Sequence, residues 1–194
     1  MQLLKRFLCG VIAVFMSVGV ATEADASTLV RAGLEQLVAT NRTIVIGEVV
    51  GARSYWNAER SFMLTDVSIS VTEFLKGDPR NRQLTLTVMG GTIGEFSTVI
   101  VGGAELAVGR SYLLFLDESD LPGLRRARTV REHSQGVFEL VRAEGGMRAI
   151  SQASRHPLRP DASGVAEPPG GAQGVVLGDM VRSIRELVAR GTNR

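Results

Sequence analysis

The sequence predicts a mainly-β protein, a small closed or nearly closed antiparallel barrel with one helix flanking it at each end. Three observations carry this. Runs of period two recur from Thr43 to Ile150. Short turns rich in Gly and Pro separate them, with no helical stretch between. Helical periodicity is confined to two segments, one before the strands and one after. A two-layer sandwich is the competing architecture.

The chain opens with a leader pattern. Lys5 and Arg6 precede the apolar run from Phe7 to Val20, and Ala24-Asp25-Ala26 is a small-x-small cleavage site. Residues 1–26 therefore read as a signal peptide, with the mature chain starting at Ser27 and located in the periplasm or outside the cell. Cys9, the single cysteine, leaves with it, so the exported chain is held by its core and not by disulfides. Cleavage leaves about 170 residues, enough for one domain. The net charge of the whole chain is +2. The leader removes two cations and two anions, so the balance does not change. A nearly neutral chain argues against a dedicated nucleic-acid binder. No later apolar stretch approaches membrane length, so no stable span is expected after cleavage.

Residues 27–152 read as the barrel with its N-terminal helix. Ser27 or Thr28 can cap that helix, and Val30, Leu34, Leu37 and Val38 form its apolar stripe. From Thr43 to Val50 the residues are short-spaced and β-branched, hence a strand. The clearest strand lies within Ser61–Gly77. There Met63, Val67, Ile69, Val71 and Leu75 alternate with Asp66, Ser68, Ser70 and Thr72, one buried face and one wet face. Lys76-Gly77-Asp78-Pro79 ends it. Gln83–Met89, Ser97–Val101, Ser111–Leu116, Val137–Val141 and Met147–Ile150 are further strands, the last two joined by a turn at Glu144-Gly145-Gly146. The polar stretch 117–136 reads as an insertion with room for an edge strand. Residues 153–174, rich in Pro and Gly, form a linker. Residues 175–194 form a C-terminal amphipathic helix that docks on the barrel. It is capped by Asp179, striped by Met180, Val181, Ile184, Leu187 and Val188, and stopped by Gly191.

The segment from Met89 to Leu106 carries five glycines around an apolar run. Gly90, Gly91 and Gly94 give G-G-x-x-G, which fails the dinucleotide spacing, and Glu95 stands where a phosphate loop needs Lys. A strand follows instead of a helix N-terminus, so phosphate has nothing to hold it. Two readings stay open: a turn that closes the sheet, or an edge that lets a partner's backbone come close. Tyr55 and Trp56 fall in Gly51–Arg60 between strands. There Trp56, the single tryptophan, either packs or anchors a partner.

Catalytic signals are thin. The two histidines are His133 and His156, the second in the linker. There is no H-E-x-x-H and no G-x-S-x-G, so neither a zinc centre nor a serine elbow is indicated. Neither a cofactor nor a metal is expected. A hydrolase using His133 with Ser134 or a nearby carboxylate is the alternative function, and an envelope structural protein without a discrete ligand is a third. Asp117, Glu118 and Asp120 read as a solvated acidic turn, lacking calcium-loop spacing. Arg125, Arg126, Arg128 and Arg131 read as a solvated edge, without aromatics to stack nucleic acid.

The order N-R-T-I-V-I-G-E-V-V (Asn41–Val50), then V-T-E-F-L-K-G (Val71–Gly77), then L-T-L-T-V (Leu84–Val88) resembles an exported bacterial family of unassigned function. It is also similar to the N-terminal part of netrin-like domains, which include the tissue inhibitors of metalloproteinases. The similarity covers about Leu29 to Leu116. It implies an OB-like, netrin-like barrel and a non-catalytic exported binding module, with an exported protease among its protein partners. Those inhibitors reach the protease zinc through an N-terminal cysteine. This chain starts at Ser27 after cleavage, so no inhibitory residue carries over. The candidate partner-binding residues are Tyr55, Trp56, Gly90, Gly91 and Gly94.

Overall fold

A computed structural model describes residues 32–130, 133–155 and 173–192. The stretch read as a leader (1–26), the expected caps Ser27 and Thr28, Val30 of the expected stripe, Arg131, His156 and most of the stretch read as a linker (153–174) lie outside these residues.

The fold is mainly β with two helices. Helix α1 (Leu34–Thr40) leads into β1 (Thr43–Trp56), β2 (Met63–Lys76), β3 (Gln83–Met89) and a short hairpin, β4 (Gly91–Ile93) and β5 (Phe96–Thr98). Then follow β6 (Ser111–Leu121), β7 (Leu124–Val130), β8 (Val137–Ala143), β9 (Gly146–Ser151), β10 (Val175–Val176) and helix α2 (Leu177–Thr192). The main sheet runs β10-β9-β8-β6-β1-β2-β3, with β7 paired to the outer half of β6. Every pairing is antiparallel. β3 and β7 approach each other, yet no ladder joins them, so the sheet is not closed into a barrel.

The sheet has a core on each face. Val45, Val49, Val67, Ile69, Leu86, Tyr112, Leu114, Leu116 and Val137 fill the inner face. Ile44, Leu113, Phe115, Phe138 and Ala149 face the other way, beneath Leu37 and Val38 of α1 and Met180 and Ile184 of α2. This explains why Tyr112–Leu116 is an unbroken apolar run. A strand covered on both faces has no wet side to alternate with. The C-terminal helix therefore docks on the sheet as its stripe predicts.

Several boundaries move. α1 starts at Leu34 with Gly33 in extended backbone as its cap, and no side-chain bond is made there. α2 starts at Leu177, so Asp179 lies in its first turn, paired with Arg182 at 3.0 Å. Gly191 is still helical. The stretch read as a polar insertion is largely a hairpin, turning at Pro122-Gly123. Asp117, Glu118 and Asp120 sit on β6 and not in a turn. Glu118 pairs with Arg126 at 2.8 Å, and buried Asp117 with Arg42 at 3.4 Å. The strand expected at Ser97–Val101 is paired only as far as Thr98. Among the described residues no helix is long and apolar enough to cross a membrane.

Asn57 fixes the β1–β2 turn. It is 5% exposed, its Oδ1 accepts the amides of Ser61 and Phe62 at 2.9 and 3.0 Å, and its Nδ2 donates to Ser61 Oγ at 3.1 Å. Asn57→Ala strands those donors and is expected to cost about 1–3 kcal/mol. Urea unfolding at unchanged slope checks this.

Candidate binding surface

The glycine segment is a strap across one end of the sheet. Where β3 ends, the Gly90 amide donates to Met63 O at 2.8 Å, and Thr65 Oγ1 donates to Gly90 O at 2.7 Å. Gly91 follows at φ +137°, and a Cβ there would fall on the hydroxyls of Ser54 and Thr65. Those hydroxyls are hydrogen-bonded to each other at 2.9 Å, and Ser54 Oγ accepts the Thr92 amide at 3.2 Å. The hairpin is thus laid over the far end of β1 and β2 by a pair of hydroxyls that only a side-chain-free residue lets in so closely. Gly94, at φ +58°, opens the two-residue hairpin turn with no neighbour in reach.

Tyr55 and Trp56 are not in a loop, because β1 runs on through both. Side chains alternate along a strand, so Trp56 shares the face of Ser54, toward the hairpin, and Tyr55 takes the opposite one. Trp56 pairs with Met63, whose carbonyl holds Gly90, and is 39% exposed. Tyr55 donates to Asp66 Oδ1 at 3.1 Å, and Thr87 Oγ1 donates to the same oxygen at 2.7 Å. The structure therefore brings Trp56, Gly90, Gly91 and Gly94 to one end and leaves Tyr55 on the other face.

Burial, and then the Asp66 carboxylate, hold the Tyr55 phenol above its ordinary value of 10.0. A pKa raised by folding adds stability that is complete below the unfolded value and is lost as pH rises through the folded one. An NMR titration of the Tyr55 ring is expected to show a midpoint above 10, with stability flat in pH around neutrality, where the contribution is fully present, and falling as pH rises through that midpoint.

Three residues that sequence reasoning did not single out dominate this end. Phe96, Val99 and Val101 are 69%, 81% and 88% exposed. Thr98 and Ile100 alternate with Val99 and Val101 and are half-buried. Ile100 roofs a hollow of about 250 Å³, lined also by Val88, Met89, Leu121 and Val130, where β3 and β7 converge. The strap beyond is pinned. Gly102 O accepts the Ser134 amide at 3.0 Å, Glu105 N donates to Gln152 Oε1 at 3.0 Å, and Gln152 Nε2 donates to Glu105 O at 2.5 Å. Further on, the Ala107 amide donates to the Tyr112 hydroxyl at 3.0 Å. The valines are thus displayed from an anchored segment.

Among the described residues no group of three His, Cys, Asp or Glu side chains converges as a metal would require. Ser134, the hydroxyl of the alternative hydrolase reading, is 2% exposed in the short turn His133–Gly136. No protein-family model matches the chain, and no curated protein matches it.

Proposed function

We propose that this chain is a non-catalytic exported binding module whose partner face is the β4–β5 hairpin, the strip running on to Val101, and Trp56. The observation that carries this is the exposure of Val99 and Val101, 81% and 88%, on a strap fastened by side-chain and backbone hydrogen bonds. Water would not select such a display, and a protein partner gains by covering it. The leader pattern of residues 1–26 supports export to the periplasm or beyond. The sheet path β3-β2-β1-β6-β7, with β3 approaching β7, supports a partly open OB-like barrel, the fold that the netrin-like resemblance implies. That resemblance makes an exported protease the first partner class to test.

The experiment is affinity capture from the exported fraction of the source organism, using the exported chain and a Val99→Asp/Val101→Asp variant. Both side chains are exposed, so the variant's stability is expected to change by no more than about 0.5 kcal/mol. The expected result is a protein retained by the wild type and reduced about tenfold on the variant. Equal retention on both would overturn this face as the binding surface.

A further inference from the structure

The run Val99-Ile100-Val101 has the β-branched composition of a strand. It follows directly from β5, with exposed Ser97, Val99 and Val101 alternating with half-buried Thr98 and Ile100, yet it belongs to no ladder, and it ends in a turn at Val101-Gly102, where the Gly103 amide donates to Ile100 O at 2.9 Å. The hairpin closes at Ile93↔Phe96. Hydrogen-bonded and non-bonded pairs alternate from there, so the amide and carbonyl of Ser97 face away from β4. Among the described residues no backbone hydrogen bond reaches the amide or carbonyl of Val99 or Val101. An unpaired edge of this kind is ordinarily blunted by Lys or Pro. Here neither Lys, Arg nor Pro occurs anywhere between Arg82 and Arg110, and the charges in that interval are Glu95 and Glu105.

Resting on the binding-module reading, we infer that the Phe96–Val101 edge accepts an added β-strand from a partner protein, an extended segment in which apolar residues alternate with Lys or Arg. Main-chain bonds to Ser97 and Val99 supply the register, ahead of the turn at Val101, and the exposed Val99 and Val101 side chains supply the apolar contact. The charge pattern selects the occupant. A cationic strand meets the acidic end of the hairpin at Glu95, whereas a second copy of this chain brings the same glutamates and no cation to face them.

The probe is a short synthetic peptide of alternating Lys and Val, titrated against the exported chain by fluorescence anisotropy, with amide hydrogen exchange as the second readout. Two control peptides replace Lys by Glu or carry N-methyl groups on alternate amides. The Lys–Val peptide is expected to bind and to slow exchange at Ser97 and Val99 about tenfold, and each control to bind about tenfold more weakly. Val99→Pro removes an amide that has no partner in the fold, and Thr98 before it is already extended. It is therefore expected to keep the melting temperature while weakening the Lys–Val peptide about tenfold. An N-methylated peptide that binds as tightly, or a Val99→Pro variant that binds normally, overturns strand addition. Absence of any peptide binding does so too. Slowed exchange at the same amides on raising protein concentration alone assigns the edge to a second copy and overturns the cationic partner. If the captured protein is lost on Val99→Asp/Val101→Asp but kept on Val99→Pro, the binding surface stands and the added strand falls. If it is kept on both, the surface falls as well.

Discussion

Phe115→Ala is expected to lower the unfolding free energy by about 3–5 kcal/mol, read as a shift of the urea midpoint at unchanged slope. Domains of this size are stable by about 5–15 kcal/mol in total, so the loss is a large part of what holds the molecule. Phe115 is fully buried on β6, the strand that pairs with β1, β7 and β8. Its ring lies 5.8 Å from that of Phe138 at an interplanar angle of 56°, a tilted contact within the favourable range. Removing it opens a cavity in the core between the sheet and the two helices, the cluster that also holds Leu37, Leu113, Met180 and Ile184. Close-packed helix and sheet surfaces fill such a space only in part.

The location of the damage separates the two cores. Phe115→Ala should speed amide exchange along α2 at residues 180–190 ahead of global unfolding. Leu114→Ala, one residue away, faces the inner core with Val45 and Leu86. It should cost a comparable amount and leave the early opening of α2 unchanged. A single core shared by both residues would give the same exchange pattern for the two variants. With Cys9 as its single cysteine, the chain can form no disulfide within itself to brace either face, so these contacts carry the stability that a cross-link would otherwise supply.

Most strands and the docking of α2 were legible because each rests on periodicity. β2 shows a wet face at Ser68 and Ser70 and a dry one at Val67 and Ile69, and its span follows directly. The second core was written in the same letters but needed another rule. Tyr112–Leu116 fails to alternate because helices cover its outer face, and nothing local says which face they cover. The β6–β7 hairpin was obscured by charge: Arg126 and Arg128 look like an insertion until Glu118 is found beside one and opposite the other. The Pro122-Gly123 dipeptide was a usable turn signal. Tyr55 and Trp56 are good strand formers, and their neighbours Asn57 to Arg60 drew them into the loop reading.

The exposed strip after β5 was the least legible part, and the reason is physical. Val99-Ile100-Val101 has the composition of a strand and not its pairing, and propensity alone does not report whether a partner strand is within reach. Gly90, Gly91 and Gly94 read equally as a turn that closes the sheet or as an edge for a partner, because spacing alone does not say what a missing side chain makes room for. Gly90 is buried and Gly91 half-buried; the missing side chain of Gly91 makes room for Ser54 and Thr65, and that of Gly90 for the Thr98 carbonyl and Ile100, within the chain itself.

Gly91→Ala is accordingly expected to destabilise the protein by about 2–5 kcal/mol. The estimate combines an L side chain in a glycine-only backbone region with overpacking against Ser54 and Thr65. Gly94→Ala is the matched control. It also has positive φ, at +58°, but has open space around its missing Cβ, so it should cost about 1 kcal/mol. The difference between the two measures close approach apart from backbone handedness, and thermal or urea unfolding of both variants gives it. A functional consequence follows from the same geometry. The new methyl group must push the hairpin off the Ser54–Thr65 pair, which carries Phe96 and Val99 with it. Gly91→Ala should therefore weaken capture of the partner under conditions where the variant is still folded, although it alters none of the exposed apolar side chains. Gly94→Ala should leave capture intact. Equal costs for the two variants, or normal capture by a folded Gly91→Ala protein, would mean that the hairpin's seat on β1 and β2 does not set the position of the strip it displays.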